Sequence, residues 1–204
     1  MDKVIEHFTN KSINYFVNHE YIDKNKKTAY QYGALVAIQS IINITSTLIV
    51  GLLFNLFVEN LFFFVVFKSL RKYSGGFHFE KFSICFIASV LLNIIFLFSF
   101  KLFMLYPNFF LLIFIELISI TLIVILSPVT NKNKSISKKE FKLYKLIVYI
   151  ICFVVFLCSL YLIKQRNYYV FSFVMATLLD SILLVFVKLR NEDVKKSAVG
   201  KHPK

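Results

Sequence analysis

Long apolar runs alternate with short polar segments along the whole chain. Uncharged apolar runs of about 18 residues or more are typical of membrane-spanning helices, because about 20 helical residues cross the hydrocarbon core of a bilayer. The polar interruptions divide the apolar sequence into predicted spans at about residues 33–51, 53–70, 82–100, 109–126, 146–163 and 169–187. The pattern therefore predicts an all-α integral membrane protein with about six transmembrane helices.

Residues 33–70 can be divided in more than one way, because this apolar stretch exceeds one span and is short for two. Gly51 and Asn55 interrupt it near the middle, and Glu59 and Asn60 follow. We predict two helices joined by a very short turn.

The N-terminal residues 1–30 have a different pattern, in which apolar residues recur at roughly helical spacing among polar ones. The first of these are Val4, Ile5, Phe8 and Ile13. Such spacing predicts one or two amphipathic helices that lie on the inner leaflet. The alternative is a frayed polar N-terminus.

Composition agrees with a membrane protein and leaves room for one domain. The 204 residues are 58% hydrophobic, whereas a soluble domain has about 45–50% apolar residues. We expect a single membrane domain over 1–204, with an interfacial segment at 1–30, a bundle at 33–190 and a cytoplasmic tail at 191–204. No removable signal peptide is expected, since no N-terminal apolar core with a small-residue cleavage site is present.

The distribution of basic residues predicts the orientation of the bundle. The net charge is +13, and 21 of the 24 Lys and Arg residues fall in segments that six spans would place on one side of the membrane. Cytoplasmic segments carry such an excess. Both termini and the loop at 68–81 are therefore expected in the cytoplasm, where the basic strips would face anionic lipid. We expect no nucleic-acid partner.

The polar and thiol groups inside the spans need separate explanations. Glu116 and Asp180 are costly in hydrocarbon and should face the bundle interior, either as structural pairs or along a transport path. Cys152 and Cys158 are interpreted as small hydrophobic residues of one span. The three cysteines do not suggest a disulfide framework.

The residues that carry recognisable chemistry are concentrated in Arg71-Lys72-Tyr73-Ser74-Gly75-Gly76-Phe77-His78, with Cys85 seven residues further on. A thiol nucleophile needs a base at neutral pH, and imidazole is the usual one. We interpret Cys85 as a nucleophile and His78 as its base. The alternative is a Gly-Gly loop with a solvated histidine and an unrelated structural cysteine.

The pair can work only if the chain bends between its members. On one helix His78 and Cys85 would lie roughly 10 Å apart along the axis, whereas proton transfer needs about 3 Å. Gly75 and Gly76 permit a tight reversal. Cys85 should then lie near the start of the next apolar helix, where the helix dipole and Arg71, Lys72 and Lys81 would favour a thiolate.

These residues resemble the accessory gene regulator protein B (AgrB) family of membrane endopeptidases in Gram-positive quorum sensing. The family pattern matches at Arg71, Gly76, His78 and Cys85. The later Ser-Pro-Val with Asn131, Lys132 and Lys134 resembles the family's Pro-then-Asn/Lys loop. That second match is weaker, because Lys134 is followed by Ser135, where the family often has proline.

The resemblance implies a cysteine peptidase that works as a homodimer in the bacterial membrane on a short AgrD-type precursor peptide. Cys85 and His78 would remove the acidic C-terminal tail through a thioester acyl-enzyme, which an internal nucleophile of the substrate would resolve to a thiolactone or lactone. No cofactor and no metal are implied.

The other motif residues are expected to support this chemistry. Arg71 would hold a substrate carboxylate or stabilise the thiolate or oxyanion. Gly75 and Gly76 would support the loop. Lys72, Lys132 and Lys134 are candidates for binding the acidic tail.

Two rival functions remain. A small multi-span transporter or exporter would use Glu116 and Asp180, and a membrane scaffold would tolerate changes at His78 and Cys85. A metalloprotease is disfavoured, because the sequence has no H-E-x-x-H motif and its four histidines are scattered.

Overall fold

A computed structural model describes residues 2–75, 81–129 and 137–199, with backbone alone for residue 138 and residues 191–199. Within these ranges the chain is helical and has no strand. A short 3-10 turn at Lys24–Lys26 precedes the second helix. The helices are α1 (Asp2–Asn18), α2 (Lys27–Leu53), α3 (Phe57–Ser74), α4 (Phe82–Leu105), α5 (Phe109–Leu126), α6 (Lys138–Lys164) and α7 (Val170–Val199).

Of the described helices, α2, α4, α5, α6 and α7 are long and apolar enough to cross a membrane. The predicted all-α membrane fold is thereby confirmed. The predicted second span coincides with α3, which carries Glu59, Lys68, Arg71 and Lys72 within 18 residues. That α3 also crosses the membrane, which would bring the number of spans to six, stays a prediction, as does the cytoplasmic placement of both termini.

Most helix boundaries follow the hydrophobic pattern, and the exceptions have local causes. The predicted division of residues 33–70 is confirmed, because α2 ends at Leu53 and α3 begins at Phe57. The sequence also predicts a basic loop up to Lys145, before the span at 146–163. This prediction is wrong from residue 138 onward, since Ser137 and Glu140 form a capping box that starts α6 earlier. The backbone of α7 continues to Val199, into the segment predicted as a tail.

The chain divides into two compact units, of which the first comprises residues 1–55 and 78–95. In this unit α1 contacts α2. Its buried residues recur every four positions, at Ile5, Thr9, Ile13 and Val17, which is the stripe of an amphipathic helix. The predicted amphipathic character of the N-terminal segment is therefore confirmed for α1, whereas its position on a leaflet stays a prediction.

The second unit comprises residues 56–77 and 96–204, and α7 contacts α3, α5 and α6 there. Aromatic rings fill part of its core. The ring centroids of Phe63 and Phe96 lie 4.1 Å apart, and those of Phe103 and Phe171 lie 4.8 Å apart. Small and polar residues of α7 are buried as well, at Ser172, Ala176, Thr177, Asp180 and Ser181. This composition permits close approach of neighbouring helices inside a membrane.

Candidate functional site

The motif identified in the sequence is bordered by two helix ends, the C-terminus of α3 and the N-terminus of α4. Helix α3 ends at Ser74, Gly75 follows with a φ of 82°, and α4 begins at Phe82. The predicted interruption of the helix at the glycine pair is therefore confirmed. Gly76 and His78 lie outside the described residues, as do Lys132 and Lys134, so the predicted contact between His78 and Cys85 stays a prediction.

Cys85 lies in the first turn of α4, as predicted. Its backbone N–H donates to the carbonyl of Lys81 at 3.3 Å. The side chain is half-buried and its thiol is free. Ile84, which precedes Cys85, and Ile87, two residues further on, are exposed apolar side chains. A half-buried thiol among apolar residues at a helix N-terminus suits a nucleophile that must be reached by a peptide and screened from water.

A carboxylate that sequence reasoning missed caps the helix that carries Cys85. Asp2 Oδ1 accepts a hydrogen bond from the backbone N–H of Ser83 at 3.0 Å, and the Ser83 hydroxyl donates to the same oxygen. The first N–H groups of a helix have no partner within the helix, and a carboxylate there is favourable. Asp2 and Ser83 are 81 residues apart, so no local capping pattern could have indicated the contact.

Gly75 follows the last residue of α3, and both its backbone conformation and the space around it exclude a side chain. Its positive φ favours glycine. A Cβ added there would lie 2.3 Å from the backbone oxygen of Val129, and the N–H of Val129 donates to the carbonyl of Ser74 at 2.9 Å. Glycine at this position lets residues 74–75 and the backbone of Val129 lie side by side, whereas its supporting role in the chemistry stays a prediction.

Ser74, the residue before Gly75, connects the end of α3 to α7. The Ser74 hydroxyl donates to Asp180 Oδ1 at 3.2 Å, and both residues are fully buried. The hydroxyl also lies 3.2 Å from the carbonyl of Gly75, but a carboxylate is the stronger acceptor. Asp180, interpreted as either a structural pair or part of a transport path, thus has a partner in the motif.

Arg71 faces the same cluster of Ser74, Gly75 and Asp180. Its Nη1 lies 3.4 Å from the carbonyl of Gly75 and donates to it. The guanidinium and the Asp180 carboxylate attract each other electrostatically. The two roles expected for Arg71, toward a substrate carboxylate or an oxyanion, stay predictions. The structure shows in addition that Arg71 interacts with other residues of the protein itself.

Lys72, next to Arg71 in α3, is a surface residue. Its side chain is exposed, and its ammonium lies 5.2 Å from the centre of the Tyr73 ring. Tyr73 in turn packs edge-to-face with Tyr144 at 5.7 Å. The exposed ammonium of Lys72 lies over an aromatic ring, and its predicted role in binding an acidic tail stays a prediction.

The remaining candidates separate into structural and surface groups. Ser159 Oγ donates to Glu116 Oε1 at 2.8 Å, and both side chains are buried, which agrees with structural pairing of Glu116. Cys152 is buried, whereas Cys158 is exposed beside Phe62 and Tyr161. Among the described residues, no group of three or more His, Cys, Asp and Glu side chains could hold a metal ion.

The fold and the motif together define a multi-pass, all-helical membrane protein with one thiol at the start of an apolar helix. Residues 9–184 match the family model described as accessory gene regulator B. The chain belongs to the accessory gene regulator B family.

Two relatives from Clostridium perfringens agree with this assignment. One, from strain SM101 / Type A, is called a putative AgrB-like protein, and the other, from strain 13 / Type A, is called putative AgrB-like protein 2. Each is 33% identical over 147 residues, which is 70% of this chain and 65% of the relative. The match thus spans about 65% of the length of these relatives. No solved structure gives a significant match.

Proposed function

We propose that the protein is a membrane-embedded cysteine endopeptidase of quorum sensing that removes the C-terminal tail of an AgrD-type precursor and promotes its cyclisation. The observation that carries the proposal is the position of Cys85 in the first turn of α4, half-buried and seven residues after His78. Membership of the accessory gene regulator B family supports the choice of a precursor peptide as substrate.

The chemistry begins with attack by the Cys85 thiolate on the carbonyl carbon between the signal segment and the tail. His78 accepts the thiol proton and returns it to the leaving amine, so the C–N bond breaks and a C–S bond forms. An internal thiol or hydroxyl of the substrate then attacks the thioester carbonyl. The C–S bond to Cys85 breaks, the thiol is restored, and a thiolactone or lactone is released.

Cyclisation on the enzyme requires that water does not reach the thioester first. Exchange of one thioester for another is close to thermoneutral, so the step needs no ATP when hydrolysis is excluded. The half-buried position of Cys85 among exposed apolar residues, in a helix apolar enough to span a membrane, supports such exclusion.

Electrostatics favour an acidic substrate tail. The chain carries a net charge of +13, and basic surfaces raise the local concentration of acidic ligands. The exposed Lys72 is one candidate for tail binding, together with Lys132 and Lys134. We place the active site on the cytoplasmic side of the membrane, following the distribution of Lys and Arg, and propose that the protein acts as a homodimer.

The experiment is co-expression of the protein with a precursor of this kind, followed by intact mass measurement of both. Wild type is compared with Cys85→Ala and His78→Ala, and Cys158→Ala is the matched control because it removes another unpaired thiol. We expect tail loss in wild type and Cys158→Ala alone, with a hydroxylamine-sensitive adduct on Cys85.

Processing that survives Cys85→Ala would contradict the peptidase. The transporter or exporter would then be the better explanation, because Glu116 and Asp180 are both buried in helices that are apolar enough to span a membrane. That alternative predicts loss of function in Glu116→Gln and tolerance at Cys85.

A further inference from the structure

Asp180 is a fully buried carboxylate in the middle of α7, a helix apolar enough to span a membrane. An acidic side chain in such a segment is costly and marks either a functional or a structural requirement. Its Oδ1 accepts the hydrogen bond from Ser74, and its Oδ2 has no hydrogen-bond partner among the described residues. The carboxylate is therefore kept in place although its hydrogen-bonding capacity is only partly used.

The partner of Asp180 occupies a particular position in the chain. Ser74 is the last residue of α3 and is fully buried. Its side chain is fixed to α7 through Asp180, and its carbonyl is fixed to the N–H of Val129. These two hydrogen bonds fix the C-terminus of α3, which lies within the motif.

An electrostatic interaction also relates the motif arginine to Asp180. Arg71 lies one turn before Ser74 in α3 and is attracted to the Asp180 carboxylate. It also donates to the carbonyl of Gly75. Asp180 thus interacts with both Arg71 and Ser74 at the end of α3.

We propose that Asp180 is a positioning residue of the peptidase: it fixes the end of α3 that carries Arg71, Ser74 and Gly75, and thereby orients the motif for catalysis. This inference rests on the proposed function. Asp180 does not touch the substrate in this proposal, and its effect is on the rate of the chemical step.

The chain provides a matched control in the Glu116–Ser159 pair. That pair has the same chemistry, a serine hydroxyl donating to a buried carboxylate in the same unit, but it joins α5 to α6. Neither residue contacts the motif in any described hydrogen bond. A general requirement for buried acids would make both pairs equally important, whereas positioning makes only the Asp180–Ser74 pair important for catalysis.

The experiment measures tail cleavage by purified full-length protein in Asp180→Ala, Ser74→Ala, the double variant, Asp180→Asn and Glu116→Ala. A displacement of about 1 Å at a catalytic site can cost about 100-fold in rate. We therefore expect kcat to fall about 10- to 100-fold in Asp180→Ala, with KM within about threefold of wild type. Asp180→Asn, which retains an acceptor oxygen for Ser74, should be intermediate.

The double variant tests whether the two residues act together. Residues in direct contact are non-additive, so Ser74→Ala should add little to Asp180→Ala. Glu116→Ala should keep kcat within about threefold of wild type, because it leaves the end of α3 intact. A kcat loss in Glu116→Ala equal to that in Asp180→Ala would overturn the proposal.

A readout independent of activity is hydrogen–deuterium exchange at the Val129 amide, whose N–H donates to Ser74. Exchange should become at least about 10-fold faster in Asp180→Ala and remain unchanged in Glu116→Ala, because local opening follows local stability. Unchanged exchange in Asp180→Ala, or faster exchange with unchanged kcat, would overturn the inference. Absence of cleavage by wild type would overturn the proposed function instead, and the exchange result would still decide whether Asp180 anchors α3.

Discussion

The two helix ends that border the motif are stabilised in opposite ways. The end of α3 is buried: Ser74 is fully enclosed, and the backbone of Val129 lies against Gly75. The start of α4 is half-buried and is capped by one side chain, Asp2, which lies outside that helix. A buried end tolerates little change, whereas a capped end loses about 1 kcal/mol when its cap is removed.

This difference between the two helix ends indicates different roles for the motif residues. Gly75 and Arg71 interact with the protein itself, and the positions they occupy are determined by backbone contact and by a buried carboxylate. Cys85 has a free, half-buried thiol in the first turn of α4. The contacts of Arg71 and Gly75 thus indicate a structural role, whereas the chemical role proposed for Cys85 is the one that substitution of its thiol tests.

The largest expected effect is that of Gly75→Ala. Alanine would be strained at a φ of 82° and would place Cβ 2.3 Å from the Val129 oxygen, so we expect more than about 1 kcal/mol of destabilisation and loss of tail cleavage. Thermal unfolding in detergent and intact mass of the precursor measure the two effects.

Gly33→Ala is the control for this change, because nothing lies within 4 Å of a Cβ at Gly33 in α2. There alanine should stabilise by about 0.5–1 kcal/mol, since glycine is unfavourable inside a helix. Normal processing by Gly75→Ala would mean that the close approach to Val129 is not needed.

Much of this architecture could be predicted from local sequence. The apolar runs gave α5 its boundaries at Phe109 and Leu126 without change. The glycine pair indicated where α3 stops, because glycine tolerates a positive φ. Such features depend on neighbouring residues, and a single sequence contains that information.

The contacts that hold the helix ends could not be predicted in the same way. Ser74 and Asp180 are 106 residues apart, and Asp2 and Ser83 are 81 apart. Hydropathy indicated that Asp180 would face the bundle interior but did not identify its partner, because that choice depends on how α3 and α7 pack. The early start of α6, by contrast, could have been predicted from local sequence, since Ser137 and Glu140 stand at capping-box spacing.

A smaller effect is expected of Arg71→Lys. Lysine keeps the positive charge near Asp180 but lacks the planar fork through which Arg71 reaches the carbonyl of Gly75. A charge-assisted hydrogen bond contributes about 1.5 kcal/mol, and about 1.4 kcal/mol corresponds to tenfold in rate. We therefore expect kcat to fall up to about 10-fold with KM unchanged. A change confined to KM would instead assign Arg71 to a substrate carboxylate.

The smallest effect is expected at the other helix end, in Asp2→Ala. Removal of a helix cap costs about 1 kcal/mol, and the loss should appear in thermal unfolding together with a reduction of a few-fold in cleavage. Asp2→Asn should retain most of both, because asparagine caps nearly as well as aspartate. Glu6→Ala is the control, since Glu6 is an exposed acid of the same helix. A loss in Asp2→Ala as large as that in Gly75→Ala would mean that both helix ends are equally constrained and would remove the distinction between them.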